Sequence, residues 1–327
     1  MTPFKMLLLP PYANKQAPER YVDERWPDMI RAVVPGATVE IYENHDDVGD
    51  AIVDADAVYG AVPPDMFARA RKLRWLAAPG AGLGPDWYHP ALVESDVVVT
   101  NIRGIYNEHL SAHIMAMLLY FARRFDHYGA LQRRGEWKQD RNMVELVGAV
   151  ALILGVGGSG AETAKLCAAL GMHVIGVDPR VQDAPEGMAE ILTPDHLDAR
   201  LADADFVIVT APETPATRGM FNADLFARMK RGAYFINVGR GGIVVTDDLV
   251  AALESGQVGG AGLDVIIPEP LPADHPLWSM GNVLLTPHVA VFGAPNQQRR
   301  EEILIENCRR FGAGEPLLNL VDKRNWF

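Results

Sequence analysis

The chain has 327 residues, 49% of them hydrophobic, and a formal net charge of −12. That length suffices for two apolar cores, while the acidic balance argues against the basic face that a nucleic-acid partner requires. Two cysteines, Cys167 and Cys308, far apart and each inside a helical pattern, offer neither a disulfide framework nor a zinc site.

The start, MTPFKMLLLPPY, holds too short an apolar run for a signal peptide, and no later run reaches the roughly 18 residues of a membrane span. A cytoplasmic protein with no membrane partner and no metal is therefore expected. In chain order, the first hundred residues alternate short apolar runs with helical patterns: KMLLLPPY, a helix from Tyr21 to Val34, ATVEIY, a second helix, ADAVYGA, a third helix, LRWLAAPG and DVVVTN. This alternation predicts a small parallel sheet. NEHLSAHIMAMLLYFARR then sets Leu110, Ile114, Met117 and Phe121 on one face of a long helix, as core or interface.

The segment AVALILGVGGSGAETAKLCAALGMHVIGVDP joins an apolar run, a G-x-G-x-x-G turn, a helical pattern and a second apolar run ending in Asp178. That is the layout of a dinucleotide-binding βαβ unit: Gly155 permits the tight turn, Gly157 lets backbone approach a pyrophosphate, and Gly160 lets helix pack on strand. The anion then meets the unpaired N–H groups of a helix N-terminus. Asp178 can accept the ribose hydroxyls and would repel a 2′-phosphate, so NAD is expected over NADP, although Arg180 has the charge to meet such a phosphate.

Further βα units follow, and their strand tails TAPET, NVGRGG, LDVIIPEP and TPHVA should border one crevice at the carboxyl edge of a parallel sheet. Three ionisable residues stand out in these tails: Arg240, Glu269 and His288. Arginine offers a planar fork for a substrate carboxylate. Histidine supplies a proton near neutral pH, and an adjacent carboxylate favours its charged form. The final helix, around Ile303, Leu304 and Cys308, should return the chain to the first domain.

On the glycine loop, MKRGAYFINVGRGGIV, GLDVIIPEPLPADHPLW, NVLLTPHVA and GEW, the chain resembles the D-isomer-specific 2-hydroxyacid dehydrogenases, nearest their glyoxylate/hydroxypyruvate reductase branch. The resemblance spans nearly the whole length. It implies a catalytic set of Arg240 on the substrate carboxylate and carbonyl, Glu269 bonded to His288, and His288 as general acid in reduction and base in oxidation. It further implies substrate contacts from the Ala81 and Gly82 amides in the AAPGAGLG loop. The glycine turn and the carry-over together set the cofactor contacts at Gly155, Gly157, Gly158, Ser159, Gly160, Asp178, Thr210, Val238, Gly239, Arg240, Asp264 and His288. The chain departs from the family pattern at Ser159, in place of a bulky aliphatic, at Ala112 and Val245, in place of acids, and at Gly84 and Pro85 in the first-domain loop.

The expected architecture is α/β with two domains: a smaller flavodoxin-like parallel-sheet substrate domain, residues 1–101 and 291–327, and a Rossmann NAD-binding domain, residues 102–290. The expected activity is NAD-dependent interconversion of a small 2-oxo acid and its D-2-hydroxy acid, in a homodimer packed through His109 to Trp137. Glu269 speaks against a formate-type dehydrogenase, which resembles a pattern with Gln beside the histidine, and the length speaks against an NAD-dependent hydrolase. The rival is an NAD-sensing scaffold, similar to the corepressors built on this fold, with no significant turnover.

Overall fold

The computed structural model describes residues 1–10, 22–180 and 183–326. The expected first-helix start at Tyr21, and the end of the KMLLLPPY run, lie outside them. The chain divides into two compact units, Met1–Ile105 with Ala294–Phe327, and Tyr106–Gly293. Among the described residues no helix is long and apolar enough to cross a membrane.

In the first unit, β1 (Lys5–Leu8), α1 (Trp26–Val33), β2 (Thr38–Ile41), β3 (Ala57–Tyr59), α2 (Pro64–Arg69), β4 (Trp75–Ala77), α3 (Pro90–Val93) and β5 (Val98–Thr100) follow the expected alternation. The strands form one parallel sheet in the order β2-β1-β3-β4-β5, the flavodoxin-like winding. Both faces are covered, so residues alternate between two cores: Leu7 and Leu9 enter one, Met6 and Leu8 the other. The second expected helix is instead a 3-10 run, His45–Asp54, kinked at Gly49 with φ 49°.

The C-terminal helix, Asn296–Ala313, belongs to this unit and buries Leu304 and Cys308 beside Met6 and Trp26. Trp26 Nε1 donates to Glu301 Oε2 at 3.1 Å, tying α1 to that helix. Both cysteines are fully buried, Cys167 against Met115 and Cys308 against Met6. Burial pushes the Cys167 thiol up to about 12, so it packs as an apolar group.

The second unit begins with α4 (Asn107–Ala122) and α5 (Phe125–Arg133). Its sheet is built from β6 (Val150–Leu154), β7 (His173–Val177), β8 (Glu190–Leu192), β9 (Phe206–Val209), β10 (Ala233–Asn237), β11 (Val258–Leu263) and β12 (Val283–Leu285). The order β12-β11-β10-β9-β6-β7-β8 is wholly parallel, with the winding direction reversing between β6 and β9. Leu152, Leu154, Val207 and Val209 fill one face; Ile153, Phe206 and Ile208 fill the other. The edge strand β8 escapes the sequence reading because three half-exposed residues carry no readable period.

The α4 stripe of Leu110, Ile114, Met117 and Phe121 is buried inside this unit. It lies on β11, where a Cβ on Gly262 would come within 2.9 Å of Met117 Sδ. The helix ends two residues before the expected Arg124, which adopts the left-handed φ of 59°.

The chain's end is held by Lys323, whose Nζ donates to the carbonyls of Leu92 (3.0 Å), Ser95 (2.5 Å) and Val97 (2.8 Å) at and beyond the end of α3. Replacing Lys323 with Met strands these three acceptors and should cost about 2 kcal/mol, lowering the thermal midpoint by about 5 °C. An unchanged midpoint would assign the tail's anchorage to the stacked Tyr88–Trp326 pair instead.

Candidate active site

The winding reversal between β6 and β9 opens the crevice where parallel sheets of this kind take ligands. Beyond β6, Gly155 has φ +94°, and a Cβ there would lie 2.6 Å from the backbone of Ala211, so only glycine fits. Thr210 Oγ1, at the end of β9, donates to Gly155 O at 2.6 Å and pins the turn. Helix α6 (Gly158–Ala169) starts directly after. Its first intrahelical donor at this end is Ala161 N, bonded to Gly157 O, so the amides of Gly158, Ser159 and Gly160 are the unpaired N-terminal donors. With open space around Gly157, this cradle fits a dinucleotide pyrophosphate. Ser159 Oγ donates to Asn107 Oδ1 at 3.2 Å.

Asp178, just past β7, is 2% exposed. Its Oδ2 accepts from Val156 N of the glycine turn at 2.9 Å, and its Oδ1 from Arg180 N at 2.9 Å. Arg180 Nε approaches the same Oδ1 at 3.4 Å. Asp178 and Arg180 thus form one ion pair at the strand end, in which the carboxylate is fixed by the Val156 amide.

Past β10, buried Asn237 builds the turn that carries Arg240: its Oδ1 accepts from Gly239 N at 3.0 Å and its Nδ2 donates to Arg240 O at 3.1 Å. Val238 is buried beside it. A Cβ on Gly241 would run into the Ile266 carbonyl, so glycine here lets the Arg240 turn pack on the loop that leads to Glu269. Glu269 Oε1 accepts from Ile266 N at 2.9 Å, and its Oε2 lies 2.9 Å from His288 Nδ1. A carboxylate only accepts, so Nδ1 carries the proton of that bond. Burial pushes the Glu269 carboxyl up, but the His288 hydrogen bond, the Ile266 amide and the charges of His288 and Arg240 outweigh it and hold it below its ordinary value of 4.5. The carboxylate is therefore fully charged above that value, and the pair is lost only as the pH falls through the lower folded one.

His288 follows β12 and has the left-handed φ of 56°. Its backbone N donates to Asp264 O and Thr286 O at 2.9 and 3.0 Å. Asp264, 3% exposed at the end of β11, accepts from Thr286 Oγ1 (2.7 Å), Val289 N (2.9 Å) and Ala290 N (3.0 Å). The structure thus gives Asp264 a second task beside the expected cofactor contact, anchoring the His288 loop. Asn237 and Thr286, which build the two turns, escaped the sequence reading; the signal available was a polar residue beside an apolar strand tail. Ala81 and Gly82 lie in the first unit, after β4, where Asn101 Nδ2 donates to Ala81 O at 2.7 Å. Among the described residues no group of three His, Cys, Asp or Glu is arranged for a metal.

Residues 115–290, over half the chain, match the NAD binding domain of the D-isomer specific 2-hydroxyacid dehydrogenases. The chain belongs to this family. Hydroxypyruvate reductase of Blautia hydrogenotrophica is 31% identical over 85% of this chain and 88% of its own length. Glyoxylate/hydroxypyruvate reductase A of Serratia proteamaculans is 31% identical over 91% and 95%. Among solved structures, the NADPH-dependent glyoxylate/hydroxypyruvate reductase of Sinorhizobium meliloti, in complex with NADP and sulfate, is 30% identical with a TM-score of 0.82, covering 99% of this chain and 100% of that one. A D-isomer specific 2-hydroxyacid dehydrogenase of Xanthobacter autotrophicus in complex with NADPH and MES is 32% identical, with a TM-score of 0.81 over 99% and 100%.

As a 2-hydroxyacid dehydrogenase, the chain is an oxidoreductase with a nicotinamide dinucleotide-binding domain. If Glu269 orients the imidazole, Glu269→Gln should lower kcat about 10- to 100-fold with the thermal midpoint nearly unchanged. Wild-type kcat in steady-state assays would remove Glu269 from the site.

Proposed function

We propose that this dehydrogenase reduces small 2-oxo acids such as glyoxylate or hydroxypyruvate to the D-2-hydroxy acid, with NADH as reductant. The observation that carries the reading is the 2.9 Å bond between His288 Nδ1 and Glu269, at a strand end where the Arg240 charge also acts. The relatives named as glyoxylate/hydroxypyruvate reductases support the substrate class.

A bound dihydronicotinamide supplies the hydride that reduces the carbonyl carbon. The protein's own groups do the rest. Arg240 grips the substrate carboxylate with its guanidinium fork and polarises the carbonyl. With Nδ1 engaged by Glu269, His288 presents Nε2 to the carbonyl oxygen and delivers the proton there; in the reverse direction the same nitrogen takes it back. The part proposed for the Ala81 and Gly82 amides in carboxylate binding rests on the family resemblance alone.

NAD is proposed because a fixed, buried Asp178 carboxylate disfavours a 2′-phosphate. The second reading, NADP, is favoured by Arg180 within 3.4 Å of that carboxylate and by the neighbours solved with NADP or NADPH. A homodimer through His109 to Trp137 is supported by the exposure of Phe125 (56%) and Trp137 (98%) on that segment.

Steady-state assays with hydroxypyruvate or glyoxylate and both cofactors test the reading. No oxidation of either cofactor with any small 2-oxo acid would leave a nucleotide-binding scaffold. His288→Ala should lower kcat by about two to four orders of magnitude while leaving NADH binding nearly intact. Asp178→Ala should relax the preference for NADH; an unchanged ratio of kcat/KM for the two cofactors would place the discrimination elsewhere.

A further inference from the structure

Resting on the proposed role of His288, we infer that His113 on α4 is a positioning residue for the loop that carries that imidazole. His113 Nε2 lies 3.0 Å from Thr286 Oγ1 and 3.7 Å from Asp264 Oδ1. The proton positions follow from the bonding inventory. Ionised Asp264 only accepts, so the Thr286 hydroxyl spends its single proton on Asp264 Oδ1, 2.7 Å away. The lone pair left on Oγ1 faces His113, whose Nε2 must therefore carry a hydrogen.

Three donors then converge on the Asp264 carboxylate from the Thr286–Ala290 loop, one hydroxyl and two amides, and a fourth donor, the His113 N–H, reaches that loop from a different element, the long helix α4. Such an external strut matters because β12 is an edge strand of three residues, and His288 sits in the left-handed region that a non-glycine residue holds only when its surroundings over-determine it. Asp264 and Thr286 fix where the loop begins, and His113 fixes the hydroxyl that joins them. Misplacing an acid by even an ångström is costly in rate.

The test compares His113→Leu, which removes the donor, with His113→Gln, whose amide N–H can reach the same hydroxyl, and with Thr286→Val, which removes the hydroxyl from the other side. With NADH and hydroxypyruvate, His113→Leu and Thr286→Val should each lower kcat about tenfold with the KM for NADH within about twofold, and the double variant should lose no more than either alone. His113→Gln should recover most of the rate. In parallel, nitrogen NMR of histidine-labelled protein, with the His288 ring identified by its disappearance in His288→Gln, should show that ring shifted in the Leu variant and restored in the Gln variant.

Wild-type kcat together with an unshifted His288 ring in His113→Leu would overturn the proposal, as would a Gln variant as impaired as Leu in both readouts. The NMR comparison needs no turnover. If the unaltered protein fails to reduce any 2-oxo acid, the functional reading falls while the positioning of His288 by His113 is still decided by the ring signals.

Discussion

A buried carboxylate must be hydrogen-bonded on every side or it destabilises the fold, and at Asp264 that requirement shapes the whole site. Among the described residues, its side-chain hydrogen bonds come from the chain beyond β12: one hydroxyl and two backbone amides. Satisfying the carboxylate folds that chain into a tight loop, and the loop turns His288 back toward Glu269. Neutralising or shortening Asp264 would release the loop before it touched any reacting group.

The same logic operates one strand away. Asn237, fully buried, would be costly unless its amide were paired, and pairing it to Gly239 and Arg240 shapes the turn in which the guanidinium stands. Glycine at 241 then allows this turn to sit against the carbonyl of Ile266, whose amide holds Glu269. Arg240, Glu269 and His288 are therefore linked through backbone contacts rather than through direct side-chain bonding alone, and their spacing inherits the rigidity of the sheet.

In the proposed cofactor reading, discrimination rests on a tighter balance. Asp178 carries the charge that suits a free ribose, yet Arg180 pairs with it and has the charge that suits a ribose phosphate. Since Asp178 is locked by the Val156 amide and Arg180 is half exposed, the anion is the fixed partner and the cation the adjustable one.

The parallel α/β class, the glycine turn and the return of the last helix were legible in the amino-acid order because burial on both sheet faces leaves continuous apolar runs, and because a G-x-G-x-x-G between strand and helix has a mechanical reason. The candidate residues Arg240, Glu269 and His288 were legible as ionisable groups stranded at the ends of such runs. The short edge strand β8 and the 3-10 run at His45–Asp54 were not, since three residues show no period and a kink at Gly49 interrupts the helical one. The pairing of His288 with Glu269 was expected from the family resemblance rather than from the order of residues, and neither could commit Asp264 to the 286–290 loop or bring His113 from α4 to Thr286, 173 positions away. Local pattern reports which face of an element is apolar; which polar atoms meet is set by how strands register and helices pack, and that is decided only when the chain has closed on itself.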